Sequence, residues 1–458
     1  MVGTIAASGA IEPAGAPHAR APCLALVRRV NDDRHRLTEL DAGVRVVTEA
    51  MPGVRSIALG LWVGAGSRDE ADGQAGLSHF IEHLLFKGSR SFGSTEIDEI
   101  FDAMGAEINA GTSKETTSVY ARFLDRHLER ALEVMADMVL RPAWADVDSE
   151  RQVVIEEIAM YEDEPSDKVH DVLAGAVFGH HPLGKPIIGT PEVVSSVPVD
   201  DIAAYHARRY RPGRLVVAAA GNLEHDRVVA LLERALAAGG PAAGPTPAPD
   251  PAPANGRPAL RFHHKTTEQV HVCLGGPGIA RADERRFALR VLDTILGGSS
   301  SSRLFQEVRE RRGLAYSVFS YFSQFVDTGE VAVYVGTRPD RVREALGVLA
   351  AELRRLQEEP VGAGELERAR ENVKGRTALG LESTQARMHR LGSSVLMGVP
   401  VLTPDEIMAR IDAVTADDVE SLARELLDPE RLSAAAVGED EDAFRAALEP
   451  VSPALAAA

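Results

Sequence analysis

The chain has 458 residues, 45% hydrophobic and 26% charged, the balance of a folded globular protein rather than of a disordered or membrane one. Its formal charge of −18 argues against nucleic acid as a principal partner, because phosphate binding needs concentrated Lys and Arg, and favours cationic ligands such as basic peptides. At roughly 100–200 residues per domain, the length implies two or three domains.

Residues 1–22 lack the charged start and apolar block of a secretory signal and read as a disordered Ala/Gly/Pro tail. No apolar run reaches the ~20 residues that span a bilayer, so no membrane partner is expected. Cys23 and Cys273 are far apart and supply neither a disulfide framework nor a Cys-based zinc site. That usage fits a reducing compartment, and the cytoplasm is the expected location.

The first half, 23–236, opens with strand-like alternation in VRVVTEAM and IALGLWVGAG. Helical periods follow over Gln74–Lys87, Thr95–Met104, Arg126–Leu140 and Ser149–Glu162, interrupted by the strand pair INAGT and TSVYARF. A Pro/Ala/Gly run over 237–258 excludes helix and strand and reads as a semi-extended linker. The second half, 259–450, repeats the order. LRFHHK and QVHVCLGG precede helical periods over Asp283–Leu296, Ser302–Arg312, Arg341–Gln357 and Gly364–Leu379, with the strand pair YSVFSYF and GEVAVYVGT between them. Residues 451–458 read as a tail. The matching order implies an α+β fold of two similar domains, each an antiparallel-rich mixed sheet covered by helices.

The stretch SHFIEHLLFKGS places His79 and His83 four residues apart on one helix, so their rings share a side and can hold one metal ion. Glu82 lies close to that pair but angularly offset, within reach of a water beside the metal. A catalytic zinc takes three protein ligands and keeps one position open. The third is sought in SERQVVIEEIAMYEDEP, with Ser149 as the helix cap. Glu150 and Glu157 are two turns apart on one face, whereas Glu156 points about 100° away. Such acids are commonly solvated surface groups, but Val153, Val154, Ile155 and Ile158 make much of this helix apolar.

HFIEH followed at long range by ERQVVIEEI resembles the inverted zincins of the pitrilysin and insulinase type, whose HxxEH motif reverses the order of HExxH. The single-length branch that includes the mitochondrial processing peptidase and its bacterial relatives is the most similar. The resemblance runs from about Leu37 to Leu432 through GAEINAGTSKETT, HHPLGKPIIGT, KTTEQVHVCLG and LGGSSSSRLFQEVRERRGLAYSVFS.

It implies that His79, His83 and Glu157 hold one Zn2+ per subunit, that Glu82 is the general base, and that Glu150 orients a zinc histidine. Arg309 and Tyr316 match the pair that holds substrate and steadies the oxyanion. By residue pattern alone they belong to a solvated RERR face and a strand start. Asn109 and Ala110 match the edge strand on which a peptide backbone is laid.

The implied function is a zinc-dependent endopeptidase acting on unfolded or presequence-like peptides in a closed chamber, with Glu82 taking the proton of the attacking water. One chain is then half of a clamshell. A homodimer is expected, or a heterodimer, in which Arg309 and Tyr316 complete the partner's zinc site. The competing readings are a non-catalytic or weakly active partner subunit of a heterodimeric peptidase, and a peptide-binding module. Retention of Glu82 speaks against the module, since binding zinc requires no such acid.

Overall fold

The computed structural model describes residues 30, 31, 35–239 and 257–457. The expected tail at 1–22 and linker residues 240–256 lie outside them.

Two sheets form the frame. The first contains β1 (Val30–Asn31), β2 (Arg36–Glu39), β3 (Arg45–Ala50), β4 (Ser56–Val63), β5 (Glu107–Thr112), β6 (Thr117–Leu124) and β7 (Leu215–Gly221), in the order β1-β2-β3-β7-β4-β6-β5. The second contains β8 (Leu260–His264), β9 (Val270–Gly278), β10 (Ala315–Gln324), β11 (Gly329–Thr337) and β12 (Ser433–Gly438), in the order β10-β11-β9-β12-β8. In each half the last strand inserts between the first two long ones, parallel to one and antiparallel to the other: β7 beside β3 and β4, β12 beside β8 and β9. The second sheet therefore repeats the order of five strands of the first. β5 and β10 are the corresponding edges.

β7 (LVVAAAG), β11 (GEVAVYVGT) and β12 (SAAAVG) are buried along their whole length, the pattern of strands covered on both faces. The second covering layer comes from the other half of the chain. The helix Thr384–Leu396 lays Met388, Leu391 and Val395 on Val47, Ala58, Trp62, Val216 and Ala218 of the first sheet. Reciprocally, the helix Pro165–Phe178 lays Val169, Leu173 and Val177 on Cys273, Ala332, Ala435 and Val437 of the second. Alanines at the centre of β7 and β12 leave room for the helices to approach.

Charge fixes this exchange. Glu49, buried on β3, accepts from Arg387 and, at 2.7 Å, from Arg390 of the exchanged helix. A second clamp joins the halves at the β5–β6 turn, where buried Arg68 donates to both oxygens of Asp327 at 2.7 Å and to Glu115 at 2.8 Å.

The residues expected as a C-terminal tail instead form a short helix, Pro453–Ala457, with Val451 and Leu455 buried against the second core. The apolar side chains are too widely spaced in VSPALAAA for the packing to register as a period. The helix Val147–Asp163 begins at Asp146, in the left-handed region at φ 54° and without a side-chain cap, so Ser149 is not its cap. The segment Ser302–Arg312, expected as an ordinary helix, is π-helical over Phe305–Arg311. Glu307 grips both Arg311 and Arg312 there, and a partner five residues on suits the wider turn.

Removing Glu49 leaves two arginines facing an apolar sheet. Glu49→Ala should cost about 3 kcal/mol in denaturant unfolding, and an unchanged midpoint contradicts the clamp. His206 is also buried, stacked on Tyr210 at 4.3 Å and bonded through Nε2 to the Val139 carbonyl at 2.8 Å. Burial lowers its pKa to about 4, below the ~6.5 of an unfolded histidine. The folded state thus excludes a proton that the unfolded state binds. Stability should be intact above pH ~6.5 and fall as pH drops towards 4. A urea midpoint flat across that window contradicts this.

Candidate active site

The motif helix spans Leu77–Leu84, shorter than the expected Gln74–Lys87 because Asp72–Gln74 forms a separate 3-10 turn. Leu77, Phe80, Ile81 and Leu84 are buried in the first core, which turns His79, Glu82 and His83 to the opposite side. Gly76 enters the helix at φ 92°, where a Cβ would meet the Ile188 carbonyl at 2.6 Å, so glycine is required. Buried Glu70 accepts the otherwise orphaned N–H groups of Gly76 at 2.8 Å and Ser78 at 2.6 Å. Burial raises the Glu70 pKa to about 7 although both backbone bonds oppose the shift.

The helix Val147–Asp163 crosses beside it. Arg151 anchors this helix by donating to the Val194 and Val197 carbonyls, and its guanidinium lies 5.4 Å from the Phe80 ring. Glu157 consequently faces the histidines. Its Oε2 lies 3.2 Å from His83 Nε2 and 3.7 Å from His79 Nε2, and one donor atom from each of the three residues falls within 4.8 Å of the others.

His83 Nδ1–H donates to Glu150 Oε1 at 2.9 Å, which turns Nε2 towards Glu157. Burial first, and His83 second, lower the His79 pKa to about 4, so that ring is neutral at pH 7. Two imidazole nitrogens and a carboxylate oxygen thus lie within reach of one another, an arrangement that a cation satisfies. Two ligands about 2.0–2.1 Å from a tetrahedral zinc are about 3.3 Å apart, close to the separations here. The residues fit the metal.

Glu150 is buried, and its second oxygen accepts from Lys87 Nζ at 2.8 Å. Lys87, one turn beyond His83, thereby holds the acceptor that orients the ring. Glu82 stands on the open side of the pair, its Oε2 receiving the Thr112 hydroxyl at 2.5 Å. Burial raises its pKa, with the Thr112 bond opposing the rise. Thr112 ends edge strand β5, which carries exposed Asn109 and half-buried Ala110. The Ala110 N–H is satisfied by the Asn109 side chain at 2.8 Å.

Arg309 and Tyr316 are brought together elsewhere. The Arg309 guanidinium lies 4.7 Å from the ring centres of both Phe305 and Tyr316, and Tyr316, on edge strand β10, is 78% exposed. Among the described residues no hydrogen bond or ion pair joins this pair to the histidines. The sequence reading missed Lys87, Thr112, Arg151 and Phe305. Lys87 carried a signal in its i+4 spacing from His83, and Phe305 in its i−4 spacing from Arg309.

The structure is similar to two solved ones that share its two-sheet architecture. A protease from Helicobacter pylori superposes with a TM-score of 0.84 at 23% identity, covering 88% of this chain and 99% of that one. A peptidase M16 inactive domain from Pseudomonas fluorescens gives 0.83 at 21%, covering 89% and 98%. At that identity they show the fold.

The sequence relatives are nearer. An uncharacterized zinc protease of Streptomyces coelicolor is 46% identical over 401 residues, 86% of this chain and 87% of its own. Similarly described proteins of Mycobacterium tuberculosis and Bacillus subtilis are 43% and 42% identical, over 88% and 84% of this chain and 93% of each relative. The insulinase (peptidase family M16) model matches residues 45–191 and the peptidase M16 inactive domain model residues 196–373. The chain belongs to peptidase family M16, the insulinase family. The histidine–glutamate cluster falls in the first matched region, and Arg309 and Tyr316 in the second.

Lys87→Met should weaken zinc binding about 10-fold, and Glu150→Gln about 10–100-fold, measured by chelator competition. Unchanged zinc affinity in both variants contradicts the orienting chain.

Proposed function

We propose that this chain is a zinc-dependent endopeptidase that cleaves unfolded peptides. The observation that carries the reading is the placement of Glu82. The helix turning two imidazoles towards Glu157 also presents an acid of its own, Glu82, held by Thr112 of an edge strand, and metal binding alone has no use for it. Bound zinc would polarise the scissile carbonyl and acidify the attacking water.

The chain supplies the rest. The elevated pKa of Glu82 suits a base that accepts a proton from water and returns it to the leaving amine. Glu150 and Lys87 hold the His83 ring in one tautomer. A peptide adding to β5 displaces the Asn109 side chain from the Ala110 N–H and pairs through its own backbone. Main-chain pairing of this kind admits extended substrates of varied sequence, presequence-like segments among them, and excludes folded ones.

Tyr316 stands on β10, the equivalent edge of the second sheet, and Arg309 stacks on its ring from the π-helical segment Phe305–Arg311; the exposed phenol and stacked guanidinium suit an oxyanion. Their separation from the metal cluster within one chain supports a dimer in which each subunit completes the other's site. Two such halves enclose a chamber. Among the described residues no helix is long and apolar enough to cross a membrane, which is compatible with a cytoplasmic enzyme.

Glu82→Gln should keep its zinc and lose about 10²–10⁴-fold in cleavage of an unstructured, internally quenched peptide. Equal cleavage by the parent, the variant and chelator-treated protein sinks the peptidase reading. Mixing Glu82→Gln with Arg309→Ala subunits should restore cleavage that neither variant shows alone. No recovery after subunit exchange contradicts the shared site.

A further inference from the structure

Where the helix Arg286–Leu296 of the second half meets the end of the exchanged helix Thr384–Leu396, a cavity of about 270 Å³ is lined by Arg281, Arg286, Arg290 and Arg390 and by no carboxylate. This is a strong positive concentration in a chain of net charge −18. Arg286 and Arg290 stand one turn apart on the same helix, where like charges repel.

Carboxylates do reach three of the four. Glu115 accepts from Arg281 at 3.1 Å, Glu284 from Arg286 at 3.1 Å and Glu49 from Arg390 at 2.7 Å. Each of these acids is already shared with an arginine outside the cavity lining: Glu115 with Arg68, Glu284 with Arg410 and Glu49 with Arg387. The Arg290 guanidinium meets no acceptor among the described residues, and Arg390 Nε is buried without a partner. Arg290 is open to solvent through the cavity, but surrounding protein and then Arg286 hold its pKa below the usual arginine value. Among the described residues Arg290 neither packs a core nor joins an ion pair.

We propose that the cavity binds a small phosphate-bearing anion, gripped by the planar forks of Arg286 and Arg290, and that occupancy fastens the exchanged helix through Arg390. The ligand chemistry is common to inorganic phosphate and to the terminal phosphate of a nucleotide. The site is separate from the metal cluster and functions without zinc.

The test uses the full-length, metal-free protein. Inorganic phosphate at about 100 times its Kd should raise Tm by about 2–5 °C over sodium chloride of equal ionic strength. Arg290→Met should melt like the parent in chloride, because that side chain has no partner to lose, and should lose the phosphate response. Phosphorus-31 line broadening of inorganic phosphate on the unmodified protein gives a reading independent of the variant. A parallel arm with ATP separates the two sources: a response to phosphate alone assigns the free anion, and a stronger response to ATP assigns a nucleotide. No response to either, or a phosphate response retained in folded Arg290→Met, overturns the proposal.

Discussion

Two imidazole nitrogens and a carboxylate oxygen are held against one another in this molecule. His79 Nε2 and His83 Nε2 lie 3.7 and 3.2 Å from the same oxygen of Glu157, and the hydrogen bond from His83 Nδ1 to Glu150 prevents the His83 ring from reversing its roles. A cation placed among them would be bound by all three. The surroundings act to hold them together. Glu70 fixes the entry of one helix, Arg151 ties down the other, and Lys87 keeps the orienting carboxylate in place.

The frame behind this centre is a duplication whose halves cannot be parted. The same five-strand order occurs twice, and each sheet borrows a helix from the opposite half to cover its second face. Edge strands β5 and β10 occupy equivalent places, one beside the metal cluster and the other carrying Tyr316. A single architectural unit thus supplies an open edge and a cluster-bearing helix in one half, and in the other an edge whose Tyr316 stacks on Arg309. The exchanged helices and the Arg68, Glu115 and Asp327 clamp tie the two halves together.

Much of this was legible in the residues. The i,i+4 spacing of His79 and His83, with buried positions at 77, 80, 81 and 84, is a local pattern on one helix. Seven-residue spacing placed Glu150 and Glu157 on one face, and alternation located the long strands. What escaped depends on distant partners. The cover of β7 and β12 comes from far away in the chain, so their continuous apolar runs show burial but not by what. Thr112 becomes important only once β5 lies against the motif helix. The π-helical turn at Phe305–Arg311 reflects a charge pairing that an α-helical period cannot distinguish, and the final helix is held by two buried apolar side chains in an alanine-rich segment.

The ligand set is the claim on which the rest turns, and X-ray absorption at the zinc edge of the metal-replete protein reads it directly. The account predicts two imidazole nitrogens at about 2.0–2.1 Å together with carboxylate or water oxygen at about 2.0–2.2 Å in a four-coordinate shell. A shell without imidazole scattering, or one unchanged when Glu157 is replaced by alanine and His79 and His83 by glutamine, would contradict it.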